Sequence, residues 1–380
     1  MKIVVFTSTR ADFGILTPIA EAISQATQLE LHCISASPVS GSSEVELGAP
    51  DFKTWGAASV STVPISNGGD IPALHAQSLG MFQVHVSKVL DQIRPDLALV
   101  LGDRTEALSF AFTASVQGIP LAHMHGGEVS KGALDELHRH AITKLSSLHL
   151  PANQRALDRI VRMGENPASI IFHGPFVLDR ISGDFASRAD LERDFGFKWG
   201  KKTAIVTLHG ARFDRPGTAI HLRELLKAFQ QFKDLNVVFT GPNVDAESHE
   251  LRSIIREYCL RNPTSAFFVE SFGSRGYLSM LRHSDIAVGN SSSLIHEAPH
   301  FGIPVLLIGS RQQGRSEDGA VGLGADSSII GASLLRLLAL PKRLTNTQEH
   351  GDLSVSTRIA LELEKRVPTS QEKGFWDGKQ

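Results

Sequence analysis

Only two cysteines occur in the 380 residues, Cys33 and Cys259, and they lie far apart. That excludes a disulfide framework and a C-x-x-C metal knuckle. No apolar run approaches the ~18 residues needed to span a bilayer, so no membrane partner is expected. Charge of one sign is also missing. The formal net charge is −2, which argues against a surface basic enough to hold nucleic acid. The opening Met1-Lys2-Ile3-Val4-Val5-Phe6 turns polar at once, too early for a signal peptide. There is no low-complexity tract. What is present is ordinary for a packed chain: 42% hydrophobic and 21% charged residues. At roughly 150 residues per domain, two domains are expected. The sequence reads as a cytoplasmic two-domain protein.

Short Val/Ile/Leu-rich runs alternate with longer helical patterns. Strands are expected at residues 2–7, 29–35, 97–101, 120–125, 147–150 and 169–173, with helices at 72–93, 105–117, 133–145 and 153–163. Continuous apolar strands between helices mark a buried parallel sheet. The series then restarts. Strands fit 203–208, 236–240, 266–269, 285–288 and 304–308; helices fit 220–232, 245–260, 275–281, 291–300 and 332–338. The fold class is α/β, with two Rossmann-like doubly wound domains facing a cleft. We expect an N-terminal domain over 1–175 and a nucleotide-binding domain over 176–354. The polar tail after Pro368 is expected to be partly ordered at best.

Ligands of such sheets sit beyond the carboxyl ends of the strands. Those ends carry Arg10; Asp103; His123, His125 and Glu128; His209; Asn243; Asn290, Ser291, Ser292 and Ser293; and Arg311 and Arg315. Asp103 could be a helix N-cap instead. A helix carries Asp135, Glu136, His138, Arg139 and His140. Glu136 and His140 share one face of it, Asp135 and Arg139 another, so a surface salt-bridge ladder is the plain alternative. The His123, His125, His138 and His140 group lacks the spacing of known metal motifs, so no metal and no cofactor are expected. The small-residue turn at 289–293 feeds a helix start and suits phosphate oxygens, although a multi-serine cap would look the same.

Together these stretches resemble the hydrolysing UDP-N-acetylglucosamine 2-epimerases and their relatives acting on UDP- or GDP-linked diacetamido sugars. The resemblance rests on Thr9-Arg10-Ala11-Asp12-Phe13-Gly14, Gly102-Asp103-Arg104-Thr105-Glu106-Ala107-Leu108 and His125-Gly126-Gly127-Glu128. It continues through Arg139-His140-Ala141-Ile142-Thr143-Lys144, Gly289-Asn290-Ser291-Ser292-Ser293, Glu297-Ala298-Pro299 and Gly309-Ser310-Arg311-Gln312-Gln313-Gly314-Arg315. It implies a GT-B-like fold whose last helix, near 355–380, rejoins the N-terminal domain, a UDP-sugar substrate and a homo-oligomer, dimer or tetramer. It also implies a reaction in two halves: elimination of UDP, then hydration to the free 2-epimeric sugar, feeding nonulosonic (sialic or legionaminic) acid synthesis.

By motif position, Asp103 and Glu136 match the family's essential carboxylates, His209 a cleft histidine and Glu297 the ribose-holding residue. His125 stands where a Glu is common, so acid and base roles among Asp103, His125 and Glu136 stay open. Substrate contacts are expected from Arg10, Glu128, Arg139, Asn243, Asn290, Ser291, Ser292, Ser293, Glu297, Arg311 and Arg315. Ile15 and Leu16 replace a Lys of many relatives, and Gly210 replaces a Pro. The alternatives are a non-hydrolysing epimerase, a glycosyltransferase or an inactive nucleotide-sugar sensor.

Overall fold

A computed structural model of the chain describes residues 1–8, 10–38, 52–66, 72–130, 134–181, 184–210, 216–242, 248–312, 326–340, 353–368 and 372–378; the side chains of Arg10, Ala11 and Pro38 lie outside the description. The chain divides into two compact units. Unit 1 comprises Met1–Glu128, Leu134–Arg180 and His350–Gln380; unit 2 comprises Val129–Ala133 and Ile181–Glu349.

Unit 1 begins β1 (Lys2–Thr7), α1 (Arg10–Gln25), β2 (Glu30–Pro38), β3 (Ser59–Ile65), α2 (Pro72–Ile93), β4 (Leu97–Leu101) and α3 (Thr105–Val116). It continues with β5 (Leu121–Met124), α4 (Leu134–Leu145), β6 (Leu148–Leu150) and α5 (Gln154–Arg162). The six strands pair in the order β3-β2-β1-β4-β5-β6, all parallel. That is the Rossmann strand order, with the crevice where the order reverses, between β1 and β4. Every residue of β4 is buried, as a strand covered on both faces requires. Phe6 stacks on Phe110 at 4.5 Å between ring centres and joins β1 to α3.

After α6 (Val177–Ile181) and α7 (Arg188–Phe195), unit 2 runs β7 (Lys202–Thr207), α8 (Thr218–Phe229), β8 (Leu235–Thr240), α9 (Ser248–Arg261), β9 (Ala266–Val269) and α10 (Gly273–His283). It closes with β10 (Ile286–Gly289), α11 (Ser293–His296), β11 (Val305–Leu307) and α12 (Ser327–Leu338). Its parallel sheet is ordered β11-β10-β7-β8-β9, the same winding with one strand fewer. The last helix, α13 (Val355–Arg366), belongs to unit 1 and packs on α1. Among the described residues, no helix is long and apolar enough to cross a membrane.

Two expectations need correction, and one strand was missed. Residues 169–173 form no strand; a 3-10 turn and one isolated bridge, His149 to Ile170, stand there, and one bridge is too little to extend the sheet. The edge strand β3 escaped sequence reading. Its alternate residues are open to solvent and it contains Pro64, tolerable only at an edge. The expected helix at 291–300 is broken into the four-residue α11 and a 3-10 turn, Ala298–Phe301, because Pro299 has no N–H to continue the ladder. Part of the polar tail is held: Lys373 finds a buried carboxylate, Glu165, at 2.7 Å.

Candidate active site

In unit 1 the candidate site is built at the carboxyl ends of β4 and β5 and on the first half of α4. The turn at the β5 end requires glycine at two positions. A Cβ on Gly126 would lie 2.8 Å from His123 Nδ1, and one on Gly127 would lie 2.2 Å from the Ala156 carbonyl oxygen. Gly127 also has φ +76°, and His125 itself sits at φ +61°. A non-glycine residue there stores strain that the surrounding contacts must hold. The Gly127 carbonyl accepts from Arg159, and the His125 amide donates to Leu150 O at 3.0 Å.

His123 is part of this frame. Its Nε2 faces the Gly102 carbonyl oxygen at 2.8 Å, which can only accept, so the proton sits on Nε2. Nδ1 faces the Thr143 hydroxyl at 3.1 Å, and that hydroxyl donates to the Arg139 carbonyl at 3.0 Å. Burial pushes the His123 pKa down to about 3, so the ring stays neutral. Both nitrogens are thus engaged in tying β5 to the Asp103 turn and to α4.

Asp103 and Glu136 come together through Arg139. The Arg139 side chain is 1% exposed. One terminal nitrogen donates to Asp103 Oδ2; the other donates to Glu136 Oε2 at 3.2 Å and to the Glu128 carbonyl at 3.1 Å. Burial alone would disfavour the cation. The Asp103 carboxylate, with Glu128 and Glu136, outweighs that and holds the guanidinium above its ordinary pKa. The α3 N-cap position belongs to Arg104, one residue beyond Asp103. Glu136 also meets His140 Nε2 at 3.1 Å. A second pair stands beside these: His125 Nδ1 lies 3.6 Å from the buried Glu128 carboxylate, and the His125 ring stacks on Phe176 at 5.8 Å.

In unit 2 the residues at the ends of β7 and β10 are knitted together. A Cβ on Gly289 would meet Thr207 O at 2.0 Å, so glycine is required where β10 leaves the sheet. The Asn290 side chain clasps the His209 backbone at both its N–H and its C=O, each at 2.8 Å. Gln312 Nε2 donates to Asn290 O at 2.8 Å, and Arg311 reaches the same oxygen at 3.5 Å. A hydroxyl chain runs Thr207, Tyr277, Ser293, Ser291, with Tyr277 to Ser293 at 2.6 Å. Ser292 is exposed, while Asn290, Ser291, His209 and Glu297 are buried. Tyr277 and Gln312 were missed by sequence reading. Gln312 lay inside a quoted motif, but nothing local placed Tyr277 near the serines. The Arg10 side chain, Asn243 and Arg315 lie outside the described residues.

The buried groups set an acid sensitivity. His123 has a folded pKa of about 3 against an ordinary 6.5, and Glu165 about 2 against 4.5. In both cases the unfolded chain binds the proton first. Their stability is therefore present at neutral pH, lost for His123 as pH falls from 6.5 towards 3, and for Glu165 from 4.5 towards 2. The melting temperature of the full chain should fall steadily over that range, and a flat profile between pH 6.5 and 4.5 would contradict the His123 assignment.

Comparison with known proteins gives the family. A model of the family described as UDP-N-acetylglucosamine 2-epimerase matches residues 67–364. The chain is 30% identical over 373 residues to the UDP-N,N'-diacetylbacillosamine 2-epimerase (hydrolyzing) of Legionella pneumophila, covering 97% of this chain and 96% of that one. It is 30% identical over 319 residues to the GDP/UDP-N,N'-diacetylbacillosamine 2-epimerase (hydrolyzing) of Campylobacter jejuni, covering 83% and 82%. Among solved structures, the UDP-GlcNAc 2-epimerase of Neisseria meningitidis, bound to UDP-GlcNAc, superposes with a TM-score of 0.74 at 18% identity, over 96% of this chain and all of the other. That likeness shows the GT-B-like fold. The chain belongs to the UDP-N-acetylglucosamine 2-epimerase family of enzymes.

Proposed function

We propose that this enzyme is a hydrolysing sugar-nucleotide 2-epimerase. Its substrate is UDP-N-acetylglucosamine or a UDP-linked 2,4-diacetamido trideoxy sugar, and its product the free 2-epimer for nonulosonic acid synthesis. The observation that carries this reading is the pair of carboxylates, Asp103 and Glu136, held side by side on one buried guanidinium.

The chemistry needs such groups. Carbon 2 bears no acidic proton in the ground state. The bond from carbon 1 to the diphosphate oxygen must stretch first, so that oxocarbenium character makes the carbon 2 proton removable. A carboxylate takes that proton as UDP departs with the bonding pair, leaving a 2-acetamidoglucal. Water then adds to carbon 1 and a proton returns to carbon 2 on the opposite face. Two faces call for two acid–base groups. Asp103 with Glu136 is one pair and His125 with Glu128 the other, and Arg139 positions the first. No metal takes part in this scheme.

Unit 2 binds the nucleotide. Asn290 shapes the turn, Ser291 and Ser293 offer hydroxyls to the diphosphate, and Glu297 takes the ribose hydroxyls. The short α11 leaves little helix dipole, so hydroxyls, turn amides and cationic side chains stabilise the leaving group. Glu297→Ala should weaken UDP binding by roughly 1–3 kcal/mol, the scale for charged hydrogen bonds. Unchanged UDP affinity by calorimetry would remove Glu297 from the site.

We read the enzyme as cytoplasmic and as a homo-oligomer. Exposed Leu74, Met81 and Val84 on α2, with Phe112 and Val116 on α3, support self-association. The deciding test of function is isotopic. In deuterated water the products should be free UDP and a free 2-epimer with deuterium at carbon 2; oxygen-18 from water should enter at carbon 1 and not the phosphate. A non-hydrolysing epimerase would keep the sugar on the nucleotide. A transferase would leave carbon 2 unexchanged. Free sugar without deuterium, or none from either substrate, would reject the proposal.

A further inference from the structure

We infer that the C-terminal segment around Lys373 is a strap that fixes helix α4, and that Lys373 is a positioning residue acting through α4 on the Asp103–Glu136 pair. The inference rests on the epimerase reading above.

The Glu165 carboxylate, just beyond α5, is 3% exposed and draws three partners: Lys144 of α4, His149 Nε2 of β6 at 3.1 Å, and Lys373 at 2.7 Å. Burial would push its pKa up; the hydrogen bonds from His149, Lys144 and Lys373 outweigh that and hold it at about 2. The carboxylate is therefore a fixed anion, and Lys373 is drawn to it.

Lys373 makes a second set of bonds. Its ammonium donates to Ser146 O at 2.7 Å and reaches Thr143 O at 3.5 Å. These carbonyls lie at the C-terminal end of α4, where helical oxygens lack intrahelical partners and a cation complements the dipole. Phe375 adds an apolar clasp. Its ring covers Gly164 so closely that a Cβ there would lie 2.3 Å away, and Lys144 Nζ stands 5.0 Å from the ring centre. The Trp376 amide closes the contact on Gly164 O at 2.8 Å.

The same helix carries Glu136 and Arg139 in its first half, and Thr143, which bonds His123, in its second. From Ser146 to Glu136 is about 15 Å of helix at 1.5 Å per residue. A helix is stiff over that length, so freeing one end tilts the other. Misplacement by ~1 Å can cost about 10²-fold in rate.

The test uses the full chain with Lys373→Met, Lys373→Arg and Phe375→Ala, and Leu363→Ala in α13 as a control that loosens unit 1 away from α4. Lys373→Met and Phe375→Ala should lower kcat about tenfold, leave KM within about twofold, and speed hydrogen exchange of the α4 amides. Lys373→Arg should restore most of kcat. Parent-like kcat or unchanged α4 exchange in Lys373→Met would overturn the inference. So would an equal kcat loss in Leu363→Ala at matched melting temperature. A parent enzyme that does not epimerise fails the functional reading instead, and the exchange measurement still decides the strap.

Discussion

Asp103→Asn and Glu136→Gln should each lower turnover by about 10²-fold or more while UDP affinity stays within about twofold. Each substitution keeps the shape and removes the charge. Asn and Gln can still accept from Arg139, so the geometry survives, but neither can take a proton from carbon 2. Nucleotide binding is assigned to unit 2 and should not notice. A capping role for Asp103, or a surface ladder role for Glu136, predicts the reverse: some loss of stability and little loss of rate. Initial-rate kinetics on the two candidate sugars, with UDP calorimetry, separates these cases. Turnover within about threefold of the parent in either variant would end the catalytic assignment of that residue.

The second large effect is expected at Arg139. In Arg139→Met, Asp103 and Glu136 lose their shared countercharge, and the Glu128 carbonyl loses a donor. Breaking a buried ion pair from one side costs about 3–5 kcal/mol. The cost here should fall at the low end, because the Asp103 and Glu136 side chains are 23% and 22% exposed. Turnover should drop by about 10²-fold or more, since two unscreened carboxylates repel and leave their places. Arg139→Lys should rescue little. An ammonium is a point charge and cannot hold two carboxylates and a carbonyl in the plane of a fork. Near-parent turnover in Arg139→Lys would show that charge alone suffices and that the forked geometry does not matter.

Much of the fold was legible because its strands are continuous apolar runs. Lys2–Thr7, Leu97–Leu101 and Ala266–Val269 begin and end where their composition changes. Elements failed where local pattern and tertiary role parted. The edge strand β3 reads as an irregular polar stretch because half of it faces water. The 291–300 stretch reads as one helix unless Pro299 is given its full effect.

The sequence by itself determined the two parallel sheets, the run of chemical groups at their ends, and the family. Those depend on hydrophobic periodicity and on motifs whose residues are neighbours in the chain. Only the tertiary structure decided what each group touches. Arg139 sits at a helical spacing that suits a surface ladder, yet its partner Asp103 is 36 residues away on another element. His123 resembles a metal ligand in sequence, yet burial and the Gly102 and Thr143 contacts make it a neutral tie between elements. Lys373 reads as one charge in a polar tail, and its anion lies 208 residues away. Burial and long-range pairing fix such roles, and neither is a property of any short stretch of chain.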